Sequence, residues 1–143
     1  MGAGNPLISI VDDDDALRMS LENLIRSIGW QVQGFSSAEA FLRSNQAHQT
    51  GCLILDVRMP GMSGPELQSH MAMNHSQVPI ILITAHEDHG QKAKALEAGA
   101  VAFLSKPFYQ EELLNAIDVA LKIRDQKFWL VHQNVSARRE GNP

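Results

Sequence analysis

Four apolar runs in this 143-residue sequence each lead into a residue able to do chemistry. Leu7-Ile8-Ser9-Ile10-Val11 meets Asp12-Asp13-Asp14-Asp15, and Cys52-Leu53-Ile54-Leu55 delivers Asp56. Pro79-Ile80-Ile81-Leu82-Ile83 stops at Thr84, and Val101-Ala102-Phe103-Leu104 is followed by Ser105 and Lys106. In open α/β sheets, ligands collect beyond the carboxyl ends of the strands. If the runs are parallel strands, Asp12, Asp13, Asp56, Thr84 and Lys106 share one edge. Carboxylates that close together repel, and each resists ionisation unless a cation compensates. Hard oxygen donors with room for water suit Mg2+, which takes one or two carboxylates alongside phosphate oxygens. Lys106 would add a point charge for phosphate, and Thr84 a hydroxyl donor. Such a set suits phosphoryl transfer, where catalysis is mainly positioning and charge neutralisation. A carboxylate such as Asp56 can itself be the covalent acceptor.

Taken singly, each residue has a plainer reading. Acidic runs before helices are usually caps and solvated surface. Thr84 could simply end a strand, Lys106 could be an ordinary surface lysine, and Asp56 could form the turn into Met59-Pro60-Gly61. Their occurrence together, after separate apolar runs, is what argues against coincidence.

The elements that must position these groups alternate between strand and helix. After the acidic run, Leu17, Leu21, Leu24, Ile25 and Ile28 recur at helical spacing and stop at Gly29, with Asp14 or Asp15 as the cap. Trp30 to Phe35 reads as a second strand, and Ser36-Ser37 opens a short helix carrying Phe41 and Leu42, followed by a polar loop from Asn45 to Gly51. Cys52 to Leu55 has no polar alternation and reads as a strand buried on both faces. Met59 to Gly64 is a Pro/Gly-rich connection into a helix with Pro65 in its first turn and Leu67 and Met71 on one face. The run to Thr84 is the fourth strand, Ala93 to Ala98 an Ala-rich helix, Val101 to Leu104 a fifth strand, and Glu111 to Leu121 a closing helix. This alternation predicts an α/β fold with right-handed crossovers and a doubly wound, five-stranded parallel sheet with helices on both faces.

Length and hydrophobic content fit one domain with a substantial core. The domain is expected over 7–122, after a flexible N-terminus, 1–6. Residues 123–143 are expected to be a linker or dimerisation tail: Leu114, Leu121, Phe128 and Val135 keep a seven-residue spacing, but the companion row includes Arg124 and Arg138, a weak coiled-coil pattern. The body to residue 121 carries net charge −7 and the remainder +3, which argues against nucleic-acid binding by this domain. Cys52 is the sole cysteine and reads as a small core residue. With no disulfide framework, membrane-length apolar segment or leader, a cytoplasmic protein without membrane association is expected. His86-Glu87-Asp88-His89 could ligate a soft metal but reads better as a solvated loop.

At the reactive positions the sequence resembles the response-regulator receiver domain of two-component signalling, close to the FixJ-like branch. Matching stretches are Ile10-Val11-Asp12-Asp13-Asp14, Ser36-Ser37-Ala38, Leu55-Asp56-Val57-Arg58-Met59-Pro60-Gly61-Met62-Ser63-Gly64, Ile83-Thr84-Ala85-His86, Ala98-Gly99-Ala100 and Phe103-Leu104-Ser105-Lys106-Pro107-Phe108. The resemblance implies a flavodoxin-like sheet in order 2-1-3-4-5. It implies that Asp56 is the phosphoacceptor, and that Asp12, Asp13, Asp56 and the Arg58 main-chain carbonyl hold Mg2+. Thr84 would be the switch hydroxyl, Lys106 the lysine that contacts the phosphoryl group, and Phe103 the switch aromatic, turning inward as Thr84 moves. A cis bond is implied before Pro107. Arg58 and His86 occupy positions that tune phosphate loss. The implied partner is a histidine kinase, with a homodimer formed on phosphorylation. The chain would promote its own phosphorylation and dephosphorylation and not act as an enzyme on other substrates. One alternative is a haloacid-dehalogenase-like phosphatase using Asp12 and Asp14, against which Ala16 stands where Thr or Val is expected. The other is a receiver-like binding module that is not phosphorylated.

Overall fold

Strand β3, Thr50–Asp56, is buried along its whole length and forms the centre of a five-stranded parallel sheet. The computed structural model describes the backbone of residues 6–85 and 89–141, and the side chains of these except His89 and residues 126–141. In chain order the other elements are β1 Leu7–Val11, α1 Asp15–Ile28, β2 Gln31–Phe35, α2 Ala38–Arg43, α3 Gly64–Met73, β4 Ile80–Thr84, α4 His89–Glu97, β5 Ala102–Ser105 and α5 Gln110–Gly141. The sheet order is β2-β1-β3-β4-β5, as the resemblance implies, and every neighbouring pair is parallel. All five carboxyl ends therefore lie along one edge.

Alternation along β3 divides the core in two. Leu53 and Leu55 belong to a buried cluster with Phe41 of α2, Leu67 and Met71 of α3, Ala95 of α4 and Phe103 of β5. Cys52 and Ile54 belong to the opposite cluster with Leu21 and Ile25 of α1 and Leu113 and Ile117 of α5. Each fully buried Leu or Ile contributes about 1.5–3 kcal/mol, so this two-faced burial rigidly fixes the strand that ends on Asp56. Burial also pushes the Cys52 thiol up to about 12, which leaves it an inert core residue.

Element boundaries differ from the sequence reading where polar residues are buried or apolar ones are few. β3 begins two residues early, because the buried Thr50 hydroxyl pairs with Ser9 Oγ at 2.7 Å and donates to the Gln46 carbonyl at 2.7 Å. The expected loop before it includes a 3-10 turn, Ala47–Gln49. Helix α4 starts before Ala93, and only Ala95 among its described side chains is buried, so its first half has no apolar stripe to read. α5 does not stop at Leu121. Neither Gly nor Pro occurs from Gln110 to Glu140, so nothing breaks the backbone helix past the expected end at Leu121. The side chains of Phe128 and Val135 lie outside the described residues. No helix among the described residues is long and apolar enough to cross a membrane.

Candidate functional site

Asp12 is the first residue past β1, Asp56 and Thr84 are the last residues of β3 and β4, and Lys106 is the first past β5. Asp12 and Thr84 are buried, Asp56 is 6% exposed, and Asp13 is open to solvent. Carboxylate oxygens of Asp12, Asp13 and Asp56 lie within 4.8 Å of one another. Lys106 reaches in from the side, its Nζ standing 3.6 Å from Asp12 Oδ2 and 3.8 Å from Asp56 Oδ1. The Lys106 N–H donates to the Thr84 carbonyl at 2.7 Å, which fixes the start of the lysine against the end of β4. The Lys106-Pro107 bond is cis.

Backbone geometry holds the acids in place. Asp12 Oδ1 accepts the Asp14 N–H at 2.9 Å, and Arg18 Nη1 donates to the Asp12 carbonyl at 2.7 Å. Asp14, not Asp15, caps α1 by accepting the Leu17 N–H at 3.1 Å. That exposed capping role leaves Asp14 poorly suited to be the second acid of a phosphatase. Beyond Asp56, the Val57 N–H donates to the Ile83 carbonyl at 2.9 Å, and the Gly64 N–H donates to the Val57 carbonyl at 3.0 Å. Ser63 and Glu66 form a reciprocal capping box that starts α3.

Gly64 is a structural requirement that its place in a Pro/Gly-rich connection hid. A Cβ there would run into the Asp56 carbonyl oxygen and stand 3.0 Å from Val57 Cα. Both are rigid backbone atoms. Gly64→Ala is therefore expected to cost roughly 2–3 kcal/mol through forced backbone displacement. Urea unfolding should show a lower midpoint with an unchanged slope, and a midpoint equal to wild type would refute the clash.

The electrostatics call for a cation. Burial, then the Asp12 charge, push the Asp56 carboxyl up to about 7, while Lys106 and the Arg58 backbone N–H act in the opposite direction. Asp12 Oδ2 is buried and has no hydrogen-bond partner among the described residues. A buried carboxylate oxygen without a hydrogen bond, beside two more acids, is a donor set that a small hard cation would satisfy, and all the side-chain donors are oxygen. The residues present fit Mg2+.

Phe103, on β5, is buried in the same cluster as Leu82 and Ala95. Beside it a cavity of about 500 Å³ opens between α3 and α4, lined by Gln68, Leu82, Lys94 and Ala98 among others. The buried Gln68 amide crosses from α3 to donate to the Ala95 carbonyl of α4 at 3.2 Å. The Arg58 side chain is exposed, and His86 lies outside the described residues. A larger cavity, about 1130 Å³, opens near Thr50, Met71 and Arg124, at the opposite end of β3 from Asp56.

Residues 8–118 match the response regulator receiver domain as a family. The chain belongs to that family. The receiver domain is 50% identical over 121 residues to response regulator protein TmoT of Ectopseudomonas mendocina, covering 85% of this chain and 55% of that one. It is 39% identical over 133 residues to transcriptional regulatory protein FixJ of Bradyrhizobium diazoefficiens, covering 92% of this chain and 65% of FixJ. Among solved structures it resembles response regulator StyR with a TM-score of 0.86 and 40% identity, over 95% of this chain and 69% of StyR. The chain spans about half the length of TmoT. Fold and family thus agree with the sequence reading, and the phosphatase alternative is not favoured.

Proposed function

We propose that Asp56 accepts a phosphoryl group from a histidine kinase in the presence of Mg2+, and that this modification switches the domain. The observation that carries the reading is the gathering of Asp12, Asp13 and Asp56 around Lys106, with Asp12 Oδ2 buried and without a hydrogen bond among the described residues. In the transfer, an Asp56 carboxylate oxygen attacks phosphorus as the bond to the donor imidazole nitrogen breaks. That nitrogen leaves with the electron pair, and the phosphoryl group becomes an acyl phosphate on Asp56. Lys106 offsets charge on the phosphoryl oxygens, and the Thr84 hydroxyl donates to them. Asp12, Asp13, Asp56 and the Arg58 main-chain carbonyl would hold Mg2+, which when bound neutralises the crowded carboxylates and the phosphate.

Phosphorylation adds about −1.5 to −2 charge. Drawing in Thr84 and Lys106 biases the β4–α4 and β5 segments, with Phe103 turning inward as Thr84 moves. The Gln68 tie to Ala95 brings α3 into the same response. The domain is proposed over 7–122, with 123–143 a linker or dimerisation tail, in a cytoplasmic regulator. Dimerisation on phosphorylation is part of this reading, and nucleic-acid binding by this domain is not.

Treatment with acetyl phosphate tests the proposal. With Mg2+ the intact mass should rise by a single phosphoryl group, and peptide mapping should place it on the Asp56 segment. A chelator should suppress the gain. No gain with Mg2+, or phosphate mapped elsewhere, would overturn it.

A further inference from the structure

The turn between β3 and α3, Val57 to Ser63, carries Arg58 and sets the wall of the site. Val57 and Met59 anchor its first half in the core, whereas Arg58, Pro60 and Gly61 are exposed, so the second half depends on further ties. One tie comes from a separate element. Glu39, in the first turn of α2, accepts the Met62 N–H on Oε2 at 2.9 Å, across 23 residues of sequence. Gly61 makes the approach possible. Its φ of +76° is a conformation that glycine adopts without penalty, and a Cβ there would stand 2.7 Å from Glu39 Oε2.

The carboxylate is well suited to this contact. The Met62 hydrogen bond, then the residue's own backbone N–H at the start of α2, hold its pKa below the usual carboxylate range, with a smaller contribution from Arg43. Glu66 stands close enough for the Glu39 charge to act on it. Two acids therefore flank the turn, and each is engaged by backbone N–H: Glu39 by Met62, and Glu66 by Ser63 at 3.0 Å.

We infer that Glu39 is a positioning residue for the phosphoryl site, acting through Gly61 and Met62 to fix the turn that carries Arg58. The inference rests on the function proposed above. It assigns α2 a mechanical part in Mg2+ binding and phosphate uptake, although Glu39 contacts neither. Partners that orient metal ligands from behind commonly change affinity by about 10–100-fold when removed.

Three variants of the full chain separate reach, charge and fold. Glu39→Ala removes the acceptor, Glu39→Asp keeps the charge on a stem one methylene shorter, and Glu39→Gln keeps reach and an acceptor oxygen without the charge. Calorimetric titration with Mg2+ and the rate of phosphate uptake from acetyl phosphate are the readouts, with thermal melts to check folding. Glu39→Ala and Glu39→Asp should each bind Mg2+ about 10-fold more weakly and take up phosphate correspondingly slower. Glu39→Gln should stay within about twofold of wild type, since its amide oxygen can accept the same N–H. Wild-type behaviour in both Ala and Asp variants would overturn the inference, as would a Gln variant as impaired as Ala. Failure of wild type to take up phosphate would instead strike the proposed function. A variant that melts far below wild type is compared by hydrogen exchange at the Met62 amide, where unchanged protection in Glu39→Ala would also overturn the clamp.

Discussion

Asp56→Asn is expected to abolish phosphoryl uptake and to make the metal-free protein more stable at neutral pH. Loss of uptake follows because the amide is not a competent nucleophile toward phosphorus. The gain in stability follows from the crowding of the acids. With its carboxyl pushed from 3.8 up to about 7 by burial and by Asp12, Asp56 holds its proton in the folded chain at pH values where the unfolded chain has lost it. Its favourable contribution is therefore complete below about pH 4, declines as pH rises towards 7, and above 7 leaves a folded state carrying an unwanted charge. Three pH units set a ceiling of about 4 kcal/mol at roughly 1.4 kcal/mol each. Solvent at the mouth of the site screens part of this, so the expected gain is about 1–2 kcal/mol. The Asn side chain also supplies an N–H donor beside the orphaned Asp12 Oδ2. Intact mass after acetyl phosphate treatment checks the first effect, and denaturant melts in chelator near pH 8 check the second. Phosphate uptake at the wild-type rate, or a variant less stable than wild type, would contradict the site as described.

The legible parts of the molecule were those in which one short run of residues carries the whole signal. β1, β3 and β4 are largely apolar runs because the sheet is covered on both faces. Asp12, Asp56, Thr84 and Lys106 stood out because each closes or follows such a run. Side-chain ties between separate elements left no comparable trace. Glu39 on Met62, Arg18 on the Asp12 carbonyl and Gln68 on the Ala95 carbonyl each join a polar side chain to a backbone atom. A backbone atom has no residue type, so periodicity cannot report its partner. At α5 the backbone helix runs past the expected end at Leu121, because no Gly or Pro interrupts it from Gln110 to Glu140.

Mg2+ should stabilise the wild-type domain, and Asp12→Ala should erase that response. At a free concentration about 100-fold above its Kd, a ligand bound only by the folded state stabilises by about 2.7 kcal/mol, roughly 5–10 °C in melting temperature for a domain of this size. Asp12 contributes the buried oxygen that lacks a hydrogen bond among the described residues, so its loss removes the donor that gains most from a cation. Without metal, the same substitution removes one of the charges that hold the Asp56 proton on. Asp12→Ala should consequently bring the Asp56 carboxyl back towards the ordinary carboxylate range. The pH dependence provides a second handle. Metal ligands must be deprotonated to bind, and Asp56 keeps its proton up to about 7 in the metal-free protein. The Mg2+-induced rise in melting temperature should thus be small near pH 5.5 and large near pH 8 in wild type, and close to zero at both in Asp12→Ala. A magnesium shift that survives in the variant would place the cation elsewhere. A wild-type shift larger at the lower pH would mean that Asp56 is not among the ligands, because proton and metal would then not compete for the same carboxylate.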